Sequence, residues 1–242
     1  MTSPSIGRMR ATTDDRIGWV TFDNPGRRNA VSIDMWNSIP DIVARFVADD
    51  NVRVIVFRGE GEKAFVSGAD ISQFETQRTS AEAVARYEEI ADRAAQAITE
   101  CDKPTIAMIH GFCIGGGVGV ALSCDLRIAA TDAVFLIPAG RIGLGYRVSS
   151  VKKLIDTVGA AKAKEIFFTG DRFDAEHAAE FGLVNQVVPQ AGTGCACHGV
   201  GHADRRAGAP DAESLQEDRE PVAQIRAGGG DSRMRCADPR LF

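Results

Sequence analysis

Two glycine segments constrain this chain more than any other feature. The first is Phe65-Val66-Ser67-Gly68-Ala69-Asp70, and the second is His110-Gly111-Phe112-Cys113-Ile114-Gly115-Gly116-Gly117. Each follows an apolar, β-rich run, Val52–Phe57 before the first and Thr105–Ile109 before the second. Each leads into a stretch that reads as helix. A strand that passes through glycines into a helix start leaves backbone N–H groups unpaired and pointing outward. Two such points, brought together, hold a developing oxyanion between two donors. That points to chemistry on a carbonyl compound.

The length of 242 residues fits one large domain or two small ones. With 44% apolar and 25% charged residues the composition is that of a soluble globular protein. A net charge of −5 argues against nucleic acid or an acidic membrane as partner. No apolar stretch approaches the ~20 residues that span a bilayer. The start, Met1-Thr2-Ser3-Pro4-Ser5, lacks the charged-then-apolar form of a signal peptide, so cytoplasmic residence is expected. Cys101, Cys113 and Cys124 sit in apolar surroundings and read as buried free thiols.

Along the chain, Arg10-Ala11-Thr12 and Ile17–Phe22 flank a turn at Asp14-Asp15 and predict a β-hairpin. Asn24 to Asn29 is a loop. Ser32 is an N-cap for a helix with Met35, Ile39, Ile42, Val43 and Phe46 on one face. Ser80 opens a long helix to about Thr99, with Val84, Tyr87, Ile90 and Ala94 at helical spacing. The triple glycine leads into a helix over Val118–Cys124, and Leu126–Ala130 and Val134–Phe135 are short strands. Helices follow at Val151–Val158, Ala161–Phe168 and Ala175–Phe181, then a strand at Val184–Val188. Strands alternate with helices, so the fold class is α/β. No G-x-G-x-x-G opens a βα unit, which disfavours a dinucleotide fold.

The character changes after Gln190. Residues 1–190 form the expected core, and residues 191–242 an aberrant tail without helical or strand period. The tail reads as disordered or as the product of a frameshift near Gln190. Codons for Asp211 to Asp218 read one base later permit an amphipathic helix of the form T-L-K-A-x-K-K/R-I. Cys195-Ala196-Cys197-His198 with His202 resembles a zinc site, but its C-x-C spacing is not the commonest form, and in a shifted frame it is an accident of codons. No metal is expected.

Residues 8–190 resemble the crotonase superfamily, the enoyl-CoA hydratase/isomerase family. The matching segments, in order, are Asn24 to Ala30 (N-P-x-x-x-N-A), Ala64 to Ile71 (A-F-V-S-G-A-D-I), Lys103 to Gly117 and Cys124 to Ala129 (C-D-L-R-I-A). Pro138 to Gly145 and Phe168 to Pro189 complete the pattern. The resemblance implies a spiral of repeated ββα units, a homotrimer or hexamer, and acyl-coenzyme A thioester substrates. Coenzyme A is then part of the substrate, and no separate cofactor is expected. It also implies two backbone donors for the thioester oxygen, Ala69 after Gly68 and Gly116 between Gly115 and Gly117. Asp70 reads as a structural cap for the turn that follows. Arg28 and Ala30 fall near the coenzyme A entrance, with Arg27 and Arg28 otherwise a solvated pair.

The resemblance also marks two departures. Hydratases of this family carry two glutamates that position and activate water, where one group helps add a hydroxyl and the other a proton. The matching positions here are Gly119 and Ala139. The expected reaction is therefore lyase-type chemistry through a thioester enolate with non-standard catalytic residues. Tyr146 resembles a tyrosine of family decarboxylases that act on malonyl-type coenzyme A esters. Decarboxylation assisted by Tyr146, and acyl-CoA binding without catalysis, are the alternatives. A packed Tyr146 with its hydroxyl on backbone is the bland outcome. Arg141 reads as exposed or ion-paired, His110 as packed and His177 as solvated.

Overall fold

The computed structural model describes residues 7–70, 81–141, 143 and 146–197. The chain opens with β1 (Arg8–Asp14) and β2 (Ile17–Asp23), followed by α1 (Ile33–Ala48), β3 (Val54–Gly59) and β4 (Ala64–Val66). Then come α2 (Ala81–Thr99), β5 (Thr105–Ile109), β6 (Phe112–Ile114), α3 (Gly116–Ala121), β7 (Leu126–Ala130) and β8 (Val134–Leu136). The last elements are α4 (Val148–Val158), α5 (Ala160–Thr169), β9 (Phe173–Asp174), α6 (Ala175–Glu180) and β10 (Gln186–Val188).

These strands build two sheets. A six-stranded sheet runs β1-β2-β3-β5-β7-β10, and a four-stranded sheet runs β4-β6-β8-β9. The β1–β2 and β8–β9 pairs are antiparallel, and the remaining pairs are parallel. Each turn of the chain therefore lays one strand in the large sheet (β3, β5, β7) and the next in the small sheet (β4, β6, β8). This is the α/β architecture expected, a spiral of ββ steps with helices between them.

Period-two alternation explains the burial. Phe22, Ile55, Phe57, Ala107 and Ile109 face the main core, shared with Phe65 and Phe135 of the small sheet and with α1 and α2. Ile17, Trp19, Val54, Val56, Ile106 and Ile128 face the opposite side and form a second cluster. Both faces of the large sheet are covered, as mostly parallel sheets require.

The element ends differ from expectation where a backbone group is already engaged. The hairpin turn is Asp15-Arg16, both left-handed, so β1 runs on through Asp14. The Val52 amide donates to Asp49 O and closes a turn, which delays β3 to Val54. The Val184 amide donates to Ala178 O and caps α6, which delays β10 to Gln186. Helix α3 starts two residues early, at Gly116, inside the glycine run. Ser32 caps α1 as expected, its hydroxyl accepting from the Met35 amide at 3.2 Å.

The described chain continues past Gln190. Residues Gln190–Gly192 form a 3-10 turn, and residues 193–197 add a helical turn. Cys197 packs into the second cluster on the large sheet, whereas Cys195 is exposed. His198, His202 and the rest of residues 198–242 lie outside the described residues, as does the reconstructed helix at 211–218. Among the internal cysteines, Cys113 and Cys124 are buried and free, and Cys101 is half-buried.

A polar knot ties the entry loop to both sheets. The buried Asn29 amide group donates to Glu60 O at 3.0 Å and to Ala64 O at 2.7 Å, and its oxygen accepts from the Asn24 amide at 3.1 Å. Asn24 in turn donates to Ala30 O at 2.8 Å. Asn29 has φ 56°, a left-handed conformation that Asn tolerates. Replacing a buried group with three partners leaves those partners unsatisfied. Asn29→Ala is expected to lower stability by about 2–4 kcal/mol, read from the midpoint of a urea unfolding curve.

Candidate active site

The two glycine segments meet. Segment 67–70 leaves β4 and pairs with Val31, whose amide donates to Gly68 O at 2.8 Å and whose carbonyl accepts from the Asp70 amide at 3.0 Å. In such a parallel bridge Val31 uses both neighbours of Ala69, so the Ala69 N–H points away from Val31. Segment 115–117 leaves β6, the strand on the other side of β4, and turns directly into α3. Gly116 is the first residue of that helix, and its N–H has no intrahelical partner. Among the described residues neither the Ala69 nor the Gly116 amide donates to the protein.

The separation of the segments is set by backbone contact. A Cβ on Gly116 would stand 3.7 Å from the Gly68 carbonyl carbon, which is bonded to the Ala69 nitrogen. A Cβ on Gly68 would stand 4.0 Å from the Gly116 nitrogen. Gly117 makes this possible, because a Cβ there would lie 2.2 Å from Val66 O. Only glycine lets the start of α3 sit against β4. Two outward amides at one place, one of them at a helix N-terminus, suit an oxygen that gains negative charge.

The surroundings are apolar and aromatic. Trp36 of α1 is buried, and its Cζ2 would lie 3.6 Å from a Gly116 Cβ. Its indole N–H donates to the Tyr87 hydroxyl of α2 at 3.1 Å, which locks the ring against the glycine turn. Helical periodicity alone does not single out Trp36 as a site residue. Its placement one residue after Met35 on the buried face of α1 was the available signal.

Tyr146 also reaches the turn. Its hydroxyl donates to Gly115 O at 3.1 Å, and its ring packs edge-on against Phe167 with centroids 5.1 Å apart. Burial pushes the phenol up to about 12, so it stays protonated at ordinary pH. The next residue, Arg147, pairs with Asp92 of α2, which also accepts from Ser149 at 2.9 Å. Lys153 of α4 donates to Thr99 at 2.7 Å and to Ser123 at 2.9 Å. These contacts dock α4 on the ends of α2 and α3.

Gly119 and Ala139, the positions where the resemblance places carboxylates, differ in kind. A Cβ at Gly119 would meet nothing within 4 Å, so one turn into α3 there is open space. Ala139 is buried, in the segment that follows Pro138, and the Pro138 ring lies 3.9 Å from a Gly115 Cβ.

Toward the outside, Arg28 is exposed in a left-handed turn and stacks over the Phe112 ring at 4.9 Å. Ala30 is buried behind it. Arg27 is exposed, as Arg28 is, and it also binds the Asp70 carboxylate at 2.6 Å and braces the segment after Ala69. The turn that Asp70 was expected to cap lies outside the described residues. Arg141 pairs with Asp171, His110 is packed at 5% exposure, and His177 is exposed beside Asp174.

Gly117→Ala is expected to force α3 away from Val66. Overpacking of this kind costs about 1–3 kcal/mol, a fall of about 2–10 °C in the melting midpoint for a chain of this size. Scanning calorimetry checks it.

Comparison with known proteins bears on the family and the fold. The profile of the Enoyl-CoA hydratase/isomerase family matches residues 12–193. The short-chain-enoyl-CoA hydratase of Clostridium acetobutylicum is 31% identical over 175 residues, covering 72% of this chain and 66% of that one. The peroxisomal Delta(3,5)-Delta(2,4)-dienoyl-CoA isomerase of Arabidopsis thaliana is 34% identical over 189 residues, covering 74% and 68%. The crystal structure of an enoyl-CoA hydratase/isomerase family protein from Hyphomonas neptunium superposes with a TM-score of 0.83 at 32% identity, covering 93% of this chain and 84% of that one. The chain thus spans about two thirds of the length of such relatives as the Clostridium enzyme. A matching profile over most of the chain, shared sequence and a shared double-sheet spiral make this chain a member of the enoyl-CoA hydratase/isomerase family.

Proposed function

We propose that this protein processes acyl-coenzyme A thioesters by stabilising a thioester enolate between the amides of Ala69 and Gly116. The observation that carries the reading is the meeting of two unpartnered backbone N–H groups at the glycine turns. An enolate oxygen carries charge that the ground-state carbonyl does not, so donors held in place favour the transition state. Gly68, Gly115 and Gly117 shape the turn around the thioester. Ala139 lines the acyl side. Arg28 and Ala30 flank the coenzyme A entrance, where a guanidinium suits phosphate. No separate cofactor or metal takes part. The same reading assigns a cytoplasmic homotrimer or hexamer.

The reaction follows from what Gly119 and Ala139 lack. Without carboxylates there, hydration proceeds through another proton donor and at a reduced rate, since general acid–base groups contribute ~10²–10⁴-fold each. The open space at Gly119 favours a second reading, decarboxylation of a malonyl-type thioester. There, loss of CO₂ leaves the bonding electron pair on the α-carbon and thioester oxygen, and no base is needed. Crotonyl-CoA hydration and CO₂ release from methylmalonyl-CoA, assayed side by side, separate the two.

Gly116→Pro tests the shared step. Proline is tolerated at the first position of a helix, and it replaces the N–H by a ring methylene that cannot donate. Turnover is expected to fall by about 10²–10³, with coenzyme A binding retained. Binding without turnover in the unmodified protein would instead mark a non-catalytic acyl-CoA-binding protein.

A further inference from the structure

We infer that Tyr146 is a positioning residue for the oxyanion site, acting on the Gly116 amide through the peptide unit it shares with Gly115. The inference rests on the proposed function above and deepens it. Gly115 O and the Gly116 N–H belong to one planar peptide group and point in opposite directions. A group that holds the carbonyl therefore aims the N–H. Two donors hold it: the Tyr146 hydroxyl at 3.1 Å and the Gly119 amide at 3.1 Å.

This peptide has unusual need of a hold. It lies between two residues without Cβ, so no side chain resists rotation of its plane. Gly115 has φ 52° and ψ −105°, outside the regions open to other residues. Its own amide is anchored, donating to Leu136 O at 2.8 Å, so the rotation left is that of the 115–116 plane. The Gly119 bond is part of the first turn of α3. Tyr146 adds a hold from a different element, anchored by Phe167 and by the Arg147–Asp92 pair. A hydrogen bond accepted by the carbonyl also polarises the peptide and strengthens its N–H as a donor. The phenol stays protonated well beyond neutrality, so this donor does not switch off in the working range. With its proton engaged on Gly115 O, Tyr146 serves the reaction by aiming a donor, not by giving up a proton.

The test is carbonyl polarisation, measured apart from turnover. Butyryl-CoA labelled with ¹³C at the thioester carbonyl is bound to the protein, and its infrared stretch is compared with that in water. Affinity for butyryl-CoA is compared with that for S-butyl-CoA, a thioether without the carbonyl. In the unmodified protein a red-shifted stretch and a preference for the thioester are expected. Tyr146→Phe keeps the ring on Phe167. It is expected to reduce the red shift, weaken thioester binding about 3–10-fold and leave thioether binding unchanged, as loss of one neutral hydrogen bond predicts. A red shift equal in Tyr146→Phe and unmodified protein overturns the inference. No red shift in the unmodified protein overturns the oxyanion reading itself. A second arm uses 3-fluorotyrosine in a Tyr87→Phe background, where position 146 carries the only label because the chain has 2 tyrosines. Relative to unlabelled Tyr87→Phe protein, which carries the same loss of the Trp36 partner, the more acidic phenol is expected to deepen the red shift, and an unchanged stretch counts against the role of Tyr146.

Discussion

One close backbone approach in the site, that of Gly117 to the Val66 carbonyl, governs the rest. It is where the helix that follows β6 is pressed onto the strand beside it. Because the contact is backbone on backbone, it leaves no room for side-chain adjustment. It puts the first amide of α3 next to the peptide after Gly68. The apolar core is what pushes these elements together, with Phe65, Val66, Cys113 and Val118 all buried around the contact.

Polar groups then set orientation inside that packed frame. Asn24 and Asn29 bind the loop before α1 to the ends of β3 and β4. Val31, held by this loop, pairs with Gly68 and Asp70 and turns the Ala69 amide outward. Arg27 grips Asp70 from the same loop. On the opposite side Trp36 and Tyr146 bear on Gly116 and Gly115. The site is thus built from backbone, and the side chains around it are fittings that aim the backbone.

Much of this was legible in the residues. The hairpin, the Ser32 cap, β5 and β7 follow from local pattern alone, and the two glycine turns follow from strand-glycine-helix order. The short strands β4, β6 and β9 did not, because two or three residues carry no period and gain their pairing from strands far away in sequence. The ends of β3 and β10 were misplaced by two residues for a related reason. Local hydrophobicity does not reveal that the Val52 and Val184 amides are spent on turn and cap carbonyls. Trp36 was hidden because a buried aromatic on a helix face reads as core until its neighbour is known. The Arg27–Asp70 pair was not legible because the partners lie 43 positions apart.

By itself the sequence determined the class of fold, the family and the two points where backbone donors would lie exposed. Those depend on local spacing, on glycine's missing Cβ and on the order of apolar runs. It also determined that Gly119 and Ala139 carry no carboxylate. Only the tertiary structure decided that the donors meet, and which way each amide faces. It alone revealed that the Tyr146 hydroxyl rests on the Gly115 carbonyl. Those are properties of packing between segments dozens of residues apart, and orientation of a peptide plane is set by its hydrogen-bond partners, which no local pattern names.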